Sequence, residues 1–155
     1  MDPLRQHLLD ALKGDQAHAT FESAVKDFPA ALRGKKPEGA AHTAWQLLEH
    51  LRITQNDILE FSRDPKYVSP KWPEGYWPAD TAPPSNAAWH ESITAFEKDH
   101  GEFRKLISES SVDLLSKFPT GDGQTLLREA LLIIDHNAYH VGQLVMLRVQ
   151  LGAWR

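Results

Sequence analysis

Apolar side chains recur every three or four residues along most of this chain, the spacing of helices that bury one face. The pattern predicts helical segments over residues 4–14, 17–28, 41–61, 87–108 and 124–151. The second segment is a candidate continuation of the first after a kink, since only Gly14-Asp15 and a short polar stretch separate them. No convincing run alternates with a period of two, so the pattern predicts an all-α protein.

Residues 64–84 interrupt this pattern. Six prolines prevent a helix, and aromatic residues fill the gaps, as in Lys71-Trp72-Pro73-Glu74-Gly75-Tyr76-Trp77-Pro78. A disordered linker seldom carries three large aromatics, so we expect an ordered crossover that covers one face of the bundle. Two roles stay open, a wall of an active site or plain packing, and the sequence favours plain packing. The predicted fold is an all-α four-helix bundle with a long Pro/Trp-rich crossover between helices 2 and 3.

Composition restricts the protein's class and surroundings. A length of 155 residues with 41% hydrophobic content predicts one globular domain over residues 1–155. The absence of cysteine fits a reducing cytoplasm and leaves histidine and carboxylate as the strong metal ligands. A net charge of −4 argues against nucleic-acid binding. We expect no secretory signal, because Met1-Asp2-Pro3-Leu4-Arg5 does not form a basic region followed by an apolar one. We also expect no membrane span, because charged and histidine residues interrupt the longest apolar run.

The candidate chemistry lies in the last helix, within Asp135-His136-Asn137-Ala138-Tyr139-His140-Val141-Gly142-Gln143. Because His136 and His140 are four residues apart, both imidazoles lie on one helix face and can reach one point. A metal ion is the predicted occupant, and a reactive site usually takes three protein ligands and keeps an open position. His50, in the middle of the helix over 41–61, is the candidate third ligand. The alternative is a set of core histidines satisfied by hydrogen bonds.

Other polar residues near these histidines receive weaker predictions. Gln143, one turn beyond His140, is a candidate for holding water or substrate near the metal. Glu49 and Asp135 point about 100° away from the metal-facing side of their helices and are poor candidates for direct ligands. Histidines without a spacing partner are expected in solvent: His7, His42, His90 and His100. The last helix is apolar almost all round, so we expect it to be central or shared with a partner subunit.

The order of these motifs resembles the DinB/YfiT-like family of small bacterial helical-bundle proteins. The resemblance rests on Trp45-Gln46-Leu47-Leu48-Glu49-His50, the Lys-Trp-Pro…Tyr-Trp-Pro crossover and the closing His-Asn-Ala-Tyr-His-Val-Gly-Gln-Leu, and it covers nearly the whole chain. It implies a divalent metal, nickel or zinc before others, on His50, His136 and His140, commonly in a homodimer. His18 resembles a histidine found after the same helix break in relatives, which makes it a candidate pocket residue; a surface or capping role is the alternative.

The same resemblance suggests a reaction class. Characterised members of the family include S-transferases that use low-molecular-weight thiols and a thiol-dependent isomerase, so the first hypothesis is a metal-dependent thiol transferase acting on a small molecule. Because the chain has no cysteine, the thiol would have to come from outside. Metal-assisted hydrolysis is the second hypothesis. The third is a non-catalytic, metal-stabilised dimeric interaction protein.

Overall fold

In the computed structural model, which describes residues 2–154, the chain forms five α-helices and two short 3-10 helices. The α-helices are α1 (Pro3–Lys13), α2 (Phe21–Val25), α3 (Ala44–Arg63), α4 (Asn86–Ser108) and α5 (Leu126–Gln150). Within residues 2–154 there is no strand, only an isolated bridge between Lys117 and Thr125. The predicted all-α class is therefore confirmed, with α1, α3, α4 and α5 as the long helices of the bundle.

The helices begin where the sequence supplies an N-cap. Each of the five α-helices is preceded by a residue whose side-chain oxygen accepts a hydrogen bond from a backbone N–H of the first turn. In chain order these N-cap residues are Asp2, Thr20, Thr43, Ser85 and Thr125. At α3 the cap is reciprocal, because the side chain of Gln46 also accepts from the backbone N–H of Thr43. Because of this capping box, α3 begins at Ala44 and not at the predicted residue 41.

The prediction of a helix over residues 17–28 was wrong in extent. Only Phe21–Val25 is α-helical, and residues 14–20 separate it from α1. Thr20 caps the short helix, whereas Asp27, with φ of 51°, and Pro29 stop it. Phe28 still lies in the core, so the apolar pattern identified the buried positions correctly but not the backbone that carries them.

The interior is divided into two apolar clusters at different levels of the bundle. One joins α2 and the first half of α3 to the last half of α5, around Leu48, Trp89 and Leu144. The other joins α1 and the end of α3 to the start of α5, around Leu59, Phe103 and Ile133. Between these two clusters the helices carry a set of polar residues, and we call this set the polar mid-layer. It consists of His50, Thr54 and Gln55 on α3, His100 on α4, and His136, Asn137 and His140 on α5.

The crossover from α3 to α4 is ordered and returns along α3. Its 3-10 helix at Glu74–Tyr76 buries Tyr76, whose hydroxyl donates to Oδ2 of Asp57 at 2.7 Å. A second tie holds its far end, where the hydroxyl of Thr43 donates to the carbonyl of Thr81 at 2.6 Å. Among the described helices, none has the length and apolarity of a membrane span.

Candidate metal centre

The polar mid-layer brings together the three histidines singled out from the sequence. His50 on α3 and His136 and His140 on α5 each offer a ring nitrogen, and these atoms lie within 4.8 Å of one another. Nε2 of His136 is 3.0 Å from Nε2 of His50. His50 and His140 are buried, at 4% and 7% exposure, and His136 is partly buried. Residues that are 86 positions apart in the chain therefore form one compact group, which we call the histidine triad.

Hydrogen bonds on the outer side orient two of these rings. The backbone carbonyl of Tyr76 lies 2.8 Å from Nδ1 of His50, and Oε1 of Gln143 lies 2.7 Å from Nδ1 of His140. Since a carbonyl oxygen only accepts, each Nδ1 carries the proton and donates it. Nε2 of each ring is then unprotonated, which is the tautomer that a metal ligand needs.

The electrostatics of the triad keep it uncharged at neutral pH. Burial lowers the pKa of His136 to about 3 and that of His140 to about 4, helped for His136 by its histidine neighbours. Burial also lowers the pKa of His50, although its bond to the Tyr76 carbonyl opposes the shift. Neutral imidazoles are the form that binds a metal, so little free energy is needed to deprotonate this site at pH 7.

An aromatic stack covers one side of the triad. The ring of Trp77 lies between two imidazoles, with centroids 3.8 Å from His50 and 3.9 Å from His42 and nearly parallel planes. The expectation that His42 is solvated was wrong, because this stacking leaves the ring only partly exposed. Sequence spacing could not have indicated the contact, since Trp77 comes from the crossover.

A cavity of about 460 Å³ opens beside the triad. Its walls are aromatic and aliphatic with a few polar groups: Ile58, Trp72, Tyr76, Trp77 and Leu132, with Thr54, Asp57 and the three histidines. The sequence favoured plain packing for the aromatic residues of the crossover. Tyr76 is indeed buried, but Trp72, Tyr76 and Trp77 together form a wall of this cavity. The structure therefore corrects the preference for plain packing. Thr54 and Asp57 were not predicted, although they follow His50 by four and seven residues and so share its helix face.

The remaining predicted residues lie in different places. Gln143 contacts His140, as described above. His18 is not at the triad: it is exposed, with Nδ1 2.8 Å from the carbonyl of Ala19, and it lines a separate cavity of about 440 Å³ between α1, α4 and α5. Glu49 points to another face, where it pairs with Arg52 at 2.8 Å, and Asp135 is exposed. His100, expected in solvent, also lines the second cavity and is only partly exposed.

The donor set fits a divalent transition metal. Three uncharged nitrogens converge, two of them oriented by outer hydrogen bonds, and no lysine or arginine lines the adjoining cavity among the described residues. Fold and site together define a class, that of helical-bundle proteins with an interhelical histidine cluster able to hold a metal. Residues 13–144 match the family model of the DinB superfamily, and the chain belongs to that superfamily. No curated protein and no solved structure matched the chain.

Proposed function

We propose that this protein binds one divalent metal ion, nickel or zinc, through Nε2 of His50, His136 and His140. We further propose that it is an enzyme that uses this ion to act on a small molecule. The observation that carries the proposal is the convergence of three neutral imidazoles at the edge of a cavity of about 460 Å³. A closed fourth protein ligand would favour a purely structural metal. Among the described residues, the group of potential ligands contains only these three histidines.

The proposed reaction is the transfer of an external low-molecular-weight thiol to an electrophile, with hydrolysis as the alternative chemistry. When bound, such an ion lowers the pKa of a coordinated thiol or water and so supplies a nucleophile at neutral pH. The chain's own contribution is positioning. The carbonyl of Tyr76 and the amide of Gln143 fix the rings of His50 and His140, and Trp77 excludes water from one side of the triad.

Elemental analysis of untagged protein, purified without chelators, tests the metal site. We expect about one equivalent of metal in the wild type and a loss of most of it in His140→Ala, because two ligands hold a divalent ion poorly. His90→Ala, which removes an exposed histidine of α4, is the matched control and should keep the metal. Equal trace metal in the wild type and His140→Ala would refute the site.

A second measurement separates catalysis from a structural metal. Fully metallated protein is screened with small thiols against electrophilic acceptors, and with ester and amide substrates for hydrolysis. Turnover that is lost in His140→Ala and retained in His90→Ala supports the enzyme. Stoichiometric metal without turnover favours the non-catalytic, metal-stabilised protein.

An exposed apolar face of α5 supports self-association, whether the metal is catalytic or structural. Large apolar side chains are exposed along one face of α5, at Leu131 (54%), Tyr139 (65%), Met146 (58%) and Val149 (50%). Gly142 lies among them and faces open space, since a Cβ built there meets no atom within 4 Å. Because glycine has no side chain, a second helix can approach closely at this point. We propose that a second copy covers this α5 face in a two-fold dimer in the cytoplasm, since an isologous interface uses the same patch on both subunits.

A further inference from the structure

The cavity of about 440 Å³ between α1, α4 and α5, which we call the second cavity, has a guanidinium set back in its wall. Arg104 on α4 lines this cavity and is partly buried. Among residues 2–154 it forms no ion pair. Its Nε is buried without a partner, but Nη1 and Nη2 are not among the buried unpaired atoms. Nη1 and Nη2 are therefore the donors of Arg104 that a molecule in the cavity can reach.

The other charged groups of this cavity lie at its exposed rim. Four such residues line the cavity, and all are exposed: Lys13, Asp15, Glu22 and Glu97. Lys13 already pairs with Asp10 at 2.8 Å. Exposed charges are weakened by water and salt, whereas a partly buried guanidinium keeps more of its field and loses part of its hydration. The inner part of the cavity therefore favours an anion.

His100 lies one turn before Arg104 on α4 and lines the same cavity. Burial and the nearby charge of Arg104 lower the pKa of His100 to about 4, although the carbonyl of Leu12 opposes the shift. The imidazole is therefore uncharged at pH 7. Arg104 then supplies the charge of the inner wall, and His100 supplies a polar but neutral surface beside it.

A glycine inside α4 leaves room beside these two residues. Gly101 lines the cavity, directly after His100 and three residues before Arg104. Glycine within a helix is destabilising relative to alanine. Close packing against another element would explain it, but a Cβ built at Gly101 meets no atom within 4 Å. What the missing side chain provides is open space next to the guanidinium.

The remaining walls and the rim restrict the ligand further. The inner surface is mostly apolar, and its apolar side chains are Leu12, Phe21, Phe96, Ile133, Ile134 and Val141. Such walls suit an apolar body. The three rim carboxylates repel a doubly charged anion more strongly than a singly charged one. These features together select one negative charge on an apolar body.

We propose that the second cavity binds a small carboxylate with an apolar body, whose two oxygens accept from Nη1 and Nη2 of Arg104. The planar pair of carboxylate oxygens matches the edge of a guanidinium. α5 contributes Ile133, Asn137 and Val141 to this cavity but His136 and His140 to the triad, so the two sites lie on different faces of the helix. The carboxylate site therefore does not depend on the proposed metal.

Binding of matched probes tests the site. Phenylacetate and phenylacetamide have nearly the same shape, but only the first is charged. Titration calorimetry at pH 7 with the protein as purified should show phenylacetate binding about tenfold more tightly, the effect of one charge-assisted hydrogen bond. Phenyl phosphate is mostly doubly charged at this pH and should bind more weakly than phenylacetate. Equal binding of phenylacetate and its amide, or no binding of either, overturns the proposal, and tighter binding of phenyl phosphate overturns the choice of a carboxylate.

Replacing the guanidinium assigns the preference to its residue. Arg104→Met keeps much of the side chain's length and should reduce the preference for phenylacetate over the amide to less than about threefold. Arg63→Met, which removes an exposed arginine of α3, is the matched control and should retain the preference. An unchanged preference in Arg104→Met overturns the site.

Filling the space tests the same site without touching the charge, and it covers the case in which Arg104→Met does not fold. Gly101→Leu places a side chain in the open space and should weaken phenylacetate binding about tenfold, the loss expected when one charge-assisted hydrogen bond is blocked. Its urea midpoint should not fall, because leucine is the better helix former. Undiminished phenylacetate binding in folded Gly101→Leu overturns the site.

A last variant separates this site from the triad, since a carboxylate could also bind a metal. His140→Ala should lose metal but keep the preference for phenylacetate, with metal content measured on the same samples. A preference that disappears with the metal would place the carboxylate at the triad and overturn the proposal. A wild type that lacks metal but keeps the preference would refute the metal centre and support the carboxylate site.

Discussion

At the scale of single residues, the polar mid-layer is where this bundle departs from an apolar core. A buried imidazole without partners costs stability, so each histidine there must be satisfied or must stay neutral. The sequence identified His50, His136 and His140 because helical spacing and a shared helix level are readable from the chain. It missed His42 and His100, whose partial burial depends on Trp77 and on the packing of α1 and α4.

His100 gives a pH prediction that is independent of the triad. Burial lowers its pKa from 6.5 to about 4, so between these values the unfolded chain binds a proton that the folded protein does not. Stability from this residue is complete above pH 6.5 and is lost as pH falls toward 4. One proton of difference corresponds to a slope of about 1.4 kcal/mol per pH unit in the unfolding free energy. Replacing His100 by Gln should reduce the slope in that window by about this amount.

Urea unfolding of metal-free protein at several pH values measures this slope. His7→Gln, on the exposed face of α1, is the control and should leave the slope unchanged. A His100→Gln slope equal to that of the wild type would contradict the assignment.

At the scale of elements, α2 is too short to be stable by itself and is held by α5. A helix of five residues makes few internal hydrogen bonds. The buried guanidinium of Arg148 donates to the carbonyls of Ser23, Ala24 and Lys26, at 2.8–3.2 Å, and to that of Ala153. One side chain thus ties α2 and the end of the chain to the last helix.

Arg148→Met should therefore be strongly destabilising. The apolar replacement fills much of the volume but leaves buried carbonyls without donors, at a cost of about 2–4 kcal/mol in unfolding free energy. Urea denaturation measures the change. Arg63→Met, which removes an exposed pair with Glu60, should cost less than about 1 kcal/mol. Similar costs for the two variants would show that Arg148 does not anchor α2.

At the scale of the whole molecule, the exposed apolar face of α5 predicts the assembly. Tyr139→Glu places a charge in the centre of that face, and burying it against a second copy would be unfavourable. Sedimentation velocity should give the wild type twice the monomer mass of 17.5 kDa and Tyr139→Glu the monomer mass. Leu4→Glu, at an exposed apolar position of α1, is the control and should remain dimeric. A monomeric wild type would refute the dimer.

The sequence by itself determined the all-α class, the main helices and the shared helix face of His136 and His140. Helix periodicity, N-caps and the spacing of His136 and His140 are local properties, so one chain is enough to show them. Only the tertiary structure decided that the crossover turns Trp77 onto His50, that Tyr76 orients the same ring, and that Thr54 and Asp57 lie in the wall of the same cavity. These contacts join segments distant in sequence, and their geometry depends on how the helices pack, which no local pattern encodes.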